Sequence, residues 1–262
     1  MSFEEVVVES GSVRVKAAPA RGAIVTSMIV GGREVFYLDR ESFADETKNV
    51  RGGIPVLFPY AGKLIDEIFV HAGTTMKQHG FGRNAVWKTS RRGNGVLGMC
   101  LESNGGTKAT YPYDFRAEQT LTILPQGLLV ELLIENRDHR AMPVSPGWHP
   151  YFVCPAAEKA NVRGDVPGLE PGRMNDEREF DFGLAAPADG RARFLVPGLG
   201  RLEISFSPEM RHMQFWSQPG KPFVCLEPFF GPNNTVNSDR RLDIQPGRAV
   251  SLWMRIELAP TR

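Results

Sequence analysis

Apolar and polar residues alternate along much of this chain, and that two-residue period predicts strands with one buried face. Between Arg201 and Phe206, Leu202, Ile204 and Phe206 share a face and polar residues take the other. The run from Val250 to Leu258 repeats the pattern with Val250, Leu252, Met254, Ile256 and Leu258. Val130, Leu132 and Ile134 alternate with Glu131 and Glu135, just after Pro125, Gln126 and Gly127. That turn joins them to the strand-like Phe115 to Leu124 and predicts a β-hairpin. Ala23 to Val30, Val96 to Leu101 and Val144 to Phe152 are further expected strands. The run Phe223 to Leu226 reads as the most apolar strand of all, and Glu227 closes it.

Helical periodicity is nearly absent, apart from one turn expected over Phe43 to Lys48. Strands that follow one another without intervening helices predict an all-β fold, a large antiparallel β-sandwich or barrel-like double sheet. The 27 glycines and 20 prolines supply the turns such a topology needs. Residues 161–197 are rich in Gly, Pro, Asp and Arg and show little alternation. No linker divides the chain convincingly, so residues 1–262 read as one domain, with 161–197 as a long excursion able to shape a cleft.

Composition narrows the function classes. A net charge of +1 gives no field to recruit nucleic acid or an anionic membrane. No stretch approaches the roughly 20 apolar residues of a membrane helix, and the N-terminus lacks a signal-peptide core. Three cysteines without CxxC spacing, Cys100, Cys154 and Cys225, read as reduced thiols of a cytoplasmic protein. His71 and His79 lack ligand-forming neighbours, and no Cys/His cluster has zinc-site spacing, so no metal is expected.

Four segments carry candidate chemistry. Arg51 to Lys63 (RGGIPVLFPYAGK) combines paired glycines, which allow close backbone approach, with cations suited to hydroxyl or phosphate oxygens. It could equally be a rigid loop with two solvated cations. Gln78 to Arg83 (QHGFGR) places His79 beside two glycines, Gly80 and Gly82, with Arg83 as a forked donor and Trp87 as a flat face for a sugar ring. A loop histidine bonded to backbone is the simpler alternative. Gly147 to Phe152 (GWHPYF) hems His149 in with aromatics and Pro150, as an aimed proton donor requires or as a satisfied core histidine would be. Glu227 ends an apolar strand, where exclusion of water raises a carboxylate's proton affinity and suits it to act as a base. An arginine ion pair would also explain it. The asparagines 233, 234 and 237 that follow fit turn chemistry.

Taken in order, these segments resemble the galactose mutarotase-like superfamily of aldose 1-epimerases. RGGIP-x-x-FP-x-x-GK and QHGFGR also resemble its hexose-6-phosphate mutarotase branch, and GWHPYF and LEP its bacterial aldose 1-epimerases. The resemblance spans Arg51 to Asn237 and implies a β-supersandwich that interconverts α and β anomers without metal or cofactor. It implies that His149 protonates the ring oxygen and that Glu227, ionised at rest, takes the anomeric hydroxyl proton. His79, Arg51, Arg83 and, near them, Lys63 would bind the sugar or its phosphate. Gly168 and Leu169 followed by Asp176 resemble the family's sugar-binding aspartate pattern, although Met174 stands where an aromatic is usual. The implied partner is a small sugar or sugar phosphate, with the protein a monomer or weak homodimer. Two rivals remain: a carbohydrate-binding protein without turnover, and a glycoside hydrolase or lyase using Glu227 and Asp176 as paired carboxylates.

Overall fold

The structure is a computed structural model that describes residues 3–259. Every pair of named strands is antiparallel, and two sheets dominate. The larger runs Arg163–Gly164, Arg191–Val196, Gly200–Phe206, Ala249–Leu258, Gly127–Asn136, Phe115–Leu124, Val96–Glu102 and Lys88–Gly93. The second runs Phe180–Ala185, His212–Ser217, Phe223–Phe229, Gly147–Trp148 and Val56–Leu57, with Tyr151–Val153 also on Phe223–Phe229. A four-stranded N-terminal sheet, Val6–Ser10 to Arg33–Glu34, completes the β-sandwich.

The alternating faces explain the layering. In Ala249–Leu258 the side chains of Leu252, Met254, Ile256 and Leu258 are buried, and in Gly127–Asn136 those of Leu128, Val130, Leu132 and Ile134. These faces join Val56, Phe58, Phe215 and Leu226 of the second sheet in one contiguous apolar cluster. A polar bolt crosses it: Trp148 Nε1–H donates to Gln119 Oε1 (3.1 Å), and Gln119 Nε2–H donates to the Ala23 carbonyl (2.8 Å). All three sheets are thereby tied without an unpaired buried amide.

The expected hairpin forms with Phe115 opposite Asn136 and Leu124 opposite Gly127. Three expectations change. The run expected from Val144 to Phe152 is broken into Met142–Val144, Gly147–Trp148 and Tyr151–Val153, because Pro146 and Pro150 cannot donate to a ladder. The helical turn sits earlier, at Arg40–Ala44, where Asp39 caps it by accepting from the Glu41 and Ser42 amides. Residues 161–197, expected to show little alternation, hold two six-residue strands. They contain Phe180–Ala185 and Arg191–Val196, short alternating runs in which Ala192, Phe194 and Val196 face inward between exposed Arg191, Arg193 and Leu195. Among the described residues no helix is long and apolar enough to cross a membrane.

Candidate active site

Strand register brings the two principal residues together. Gly147 pairs with Phe229 and Tyr151 with Cys225. These two pairs bracket His149 and Glu227, two residues away on each strand, and leave them directly opposite across the ladder. Since side chains two apart share a face, Cys225, Glu227, His149 and Tyr151 all project the same way. The His149 Nδ1 lies 3.4 Å from a Glu227 carboxylate oxygen. On the other flank Glu227 pairs with Gln214.

Both groups are almost wholly buried, Glu227 at 1% and His149 at 6% exposure. The His149 ring stacks on Tyr151 (4.7 Å, 12°) and meets Trp216 edge-on (5.8 Å). Its amide donates to the Pro55 carbonyl (3.1 Å), so backbone and ring are both fixed. Within the described residues, His149 Nδ1, both Glu227 oxygens and Arg83 Nε are buried with no hydrogen-bond partner. Burial pushes the Glu227 carboxyl well above its usual range, with Asp181 adding to the rise and Arg83 opposing it. Burial, then Arg83 and Arg51, pushes His149 well below the ordinary imidazole value. Both shifts run toward the neutral forms, carboxyl and imidazole. The direction runs against the expectation of an ionised Glu227 at rest, because desolvation is the larger cause and Arg83 the smaller, opposing one.

His79 is placed by backbone geometry that few residues tolerate. Its φ is +70°, in the left-handed region. Its amide donates to the Gly62 carbonyl (2.8 Å), and the Gly62 amide donates back to His79 Nδ1 (2.9 Å). Gly62 itself has φ +84°, and a Cβ there would collide with the Asn233 side chain. With Nδ1 accepting, the neutral ring carries its proton on Nε2, which lies 3.0 Å from the Gln78 amide nitrogen. Burial, then Arg83, holds this imidazole well below its ordinary value. The backbone-bonded reading of His79 is thus accurate, and the ring still faces the cleft 5.6 Å from that of His149.

Arg51, Lys63, His79, Arg83, His149 and Glu227 line one polar cleft of about 160 Å³. Pockets for drug-sized ligands run to roughly 300–1,000 Å³, so this one is scaled for a much smaller molecule. Arg83 is largely buried, donates to the Gln78 carbonyl (3.1 Å), and is pushed down to about 10 by desolvation. The Arg51 guanidinium lies over the Trp216 ring at 5.0 Å. Lys63 is exposed, 3.9 Å from Asp181.

Two expected residues stand elsewhere. Asp176 is outside the cleft lining: the fully buried Lys159 ammonium binds it at 2.6 Å, and the Gly220 amide donates to both carboxylate oxygens (3.0 Å). A buried ammonium without a carboxylate would be costly, and this demand captures Asp176. Trp87 is 1% exposed, with its Nε1–H donating to the Gly82 carbonyl (2.9 Å). It packs the core and offers no sugar platform.

The cleft is also lined by residues not singled out from the sequence, Glu179, Asp181, Gln214 and Trp216, and by Asn233, which was expected only to turn the chain. Trp216 Nε1–H donates to Glu179 (2.7 Å), and Gln214 Nε2–H donates to Asp181. The alternation of His212 to Ser217 was a legible signal for that strand, but its partner strand was not. The asparagines do more than turn the chain. Asn233, Asn234 and Asn237 accept from the amides of Lys63 (2.9 Å), Ile65 (3.3 Å) and Val70 (3.1 Å), stapling the loop that carries Lys63.

The aldose 1-epimerase family profile matches residues 5–170, which include the two arginines, Lys63 and both histidines but end before Glu227. A Salmonella typhimurium protein named "Putative glucose-6-phosphate 1-epimerase" is 26% identical over 181 residues, covering 66% of this chain and 56% of that protein. An Escherichia coli protein of the same name is 24% identical over 163 residues, covering 61% and 51%. The chain therefore spans about half the length of the curated relatives it matches. The solved Slr1438 protein of Synechocystis is similar over 100% of this chain and 97% of its own, with 30% identity and a TM-score of 0.92. A galactose mutarotase-like protein from Lactobacillus casei shares the fold at 20% identity, with a TM-score of 0.79 over 98% of this chain and 100% of its own.

Proposed function

The chain belongs to the aldose 1-epimerase family, and on that premise we propose that it interconverts the α and β anomers of an aldohexose or its 6-phosphate. The observation that carries the reading is the opposed pair His149 and Glu227, buried, mutually 3.4 Å apart and unpartnered toward a small polar cleft. Anomer exchange needs one base for the anomeric hydroxyl proton and one acid for the ring oxygen, with no net proton gained.

The pair shares one proton, and its two distributions correspond to the two stages of the reaction. In the reactive form Glu227 is a carboxylate and His149 an imidazolium. Glu227 takes the O1 proton as His149 gives its own to the ring oxygen, and the C1–ring-oxygen bond breaks to leave an aldehyde. The pair is then carboxyl and neutral imidazole, the distribution that burial favours at rest. Rotation about the C1–C2 bond and reclosure on the other face of the carbonyl reverse both transfers. Arg83 favours the Glu227 carboxylate of the reactive form and disfavours its His149 imidazolium. His79 Nε2–H, Arg51 and Arg83 are donors for the sugar's oxygens, and the two guanidiniums suit a phosphate bidentately. Each positioned acid or base contributes about 10² to 10⁴-fold.

The test is to add purified protein to freshly dissolved α-glucose, α-galactose and α-glucose 6-phosphate and follow optical rotation. Acceleration over buffer on at least one is expected. Unchanged mutarotation on all three, with binding of sugar intact, would leave a carbohydrate-binding protein instead.

A further inference from the structure

One group just behind the cleft lining has no part in the proposed anomer exchange. Cys225 lies two residues before Glu227 on the same strand and on the same face, and it is fully buried. One donor atom each from His149, Cys225 and Glu227 lies within 4.8 Å of the other two. The His149 Nδ1 and both Glu227 oxygens are also buried without partners among the described residues. Linear spacing concealed this cluster, because its ligands come from two strands that meet only through register.

We propose that His149, Cys225 and Glu227 form a zinc-binding site whose occupation silences the acid–base pair. The donor set selects the metal. Thiolate, imidazole and carboxylate together suit zinc, whereas magnesium and calcium take all-oxygen shells. Zinc bonds are about 2.0–2.3 Å long, so the three donors must close by roughly an ångström around a bound ion. The open fourth position faces the cleft, where a water or a sugar hydroxyl would complete a tetrahedron.

Charge balance favours the site as well. A zinc ion with one thiolate and one carboxylate is neutral overall, which is what a desolvated setting requires. Arg51 and Arg83 on the cleft wall oppose a dication, and Asp181 favours it. On binding, the Cys225 S–H and the Glu227 carboxyl proton pass to solvent, and Zn–S, Zn–O and Zn–N bonds form. The lone pairs and the proton used in ring opening are then unavailable to a sugar, so zinc acts as an inhibitor and not as a cofactor.

Metal uptake stands independently of the proposed anomer exchange, and only the inhibition arm rests on that reading. Chelator-treated full-length protein is titrated with zinc chloride against a chromophoric chelator. The expected result is one equivalent bound, no uptake of magnesium, and affinity at least tenfold weaker in Cys225→Ser and in Cys225→Ala. Cobalt(II) supplied to the unmodified protein should show thiolate-to-metal charge-transfer absorption, which requires no variant to fold. Absence of that band, or zinc uptake unchanged in a folded Cys225 variant, overturns the proposal. In the second arm, stoichiometric zinc should abolish anomer exchange and chelator should restore it, with Cys225→Ser as active as the parent in zinc-free buffer. Exchange that persists in zinc-saturated protein would overturn the inhibitory role. Protein that binds zinc but exchanges no sugar in zinc-free buffer would instead count against the proposed function.

Discussion

Replacing Glu227 by Gln separates a general base from a buried ion-pair partner, because the two roles predict opposite changes in stability. Gln keeps the shape and cannot accept the proton. If Glu227 is the base, anomer exchange falls by about 10² to 10⁴-fold, or roughly 3–5 kcal/mol of barrier at 1.36 kcal/mol per tenfold. The stability effect follows from burial. Glu227 is 1% exposed, its two oxygens lack partners among the described residues, and burial raises its proton affinity on folding. Its folded value therefore lies above the unfolded one of about 4.3. The folded state then binds the proton more tightly, so the parent protein loses stability as pH rises from the unfolded value through the folded one. Gln does not titrate and escapes that loss. An unsatisfied buried group costs about 1–3 kcal/mol, and each kcal/mol moves the melting temperature of a chain this size by about 2–4 °C. Differential scanning calorimetry across pH should show Glu227→Gln melting no lower than the parent near pH 4. Its advantage should then grow toward about 2–12 °C as the parent carboxyl ionises. A carboxylate retained as the partner of Arg83 would behave oppositely, since removing one member of a buried pair costs about 3–5 kcal/mol. A lower melting point at alkaline pH, or exchange within tenfold of the parent, would refute the assignment.

His149→Gln should lower kcat by a similar two to four orders of magnitude. Combined with Glu227→Gln the losses should be far less than additive, because the two act as one unit. Anomer-exchange NMR measures this, and additive losses would separate their roles. Arg83→Ala should lower kcat/KM by at least about tenfold more on glucose 6-phosphate than on glucose, since a charge-assisted contact contributes about 1.5–3 kcal/mol. Equal losses would place the phosphate elsewhere. Asp176→Ala should cost about 1–3 kcal/mol of stability, reduced by its partial exposure, because Lys159 is left buried and unpaired. Its kcat/KM should stay within about threefold of the parent, and a collapse in KM with unchanged melting would restore Asp176 to the sugar site.

Local chemistry made part of this site legible. His79 and His149 sit beside glycine and proline, whose backbone limits announce a constrained histidine, and both face the cleft. Glu227 was marked by the apolar strand before it. Asp176 was misplaced because a sequence pattern cannot show that Lys159 is buried and in need of a carboxylate. Trp87 was misplaced for a similar reason: an aromatic near a motif reads the same whether it lines a cleft or fills the core. Gln214 and Trp216 went unmarked because their role depends on which strand lies beside them. The upward push on the Glu227 carboxyl was not legible because desolvation is a property of the assembled site.

What the sequence alone determined was the all-β class, the inward face of each long strand, and the residue types at the bends. These follow from period-two alternation and from the backbone limits of Gly and Pro, which act over a few residues. What only the tertiary structure decided was pairing. The register between Gly147–Trp148, Tyr151–Val153 and Phe223–Phe229 sets His149 against Glu227 and places Cys225 within reach of both. A slip of one residue would turn that face away, and register is fixed by how the sheets bury their faces against each other.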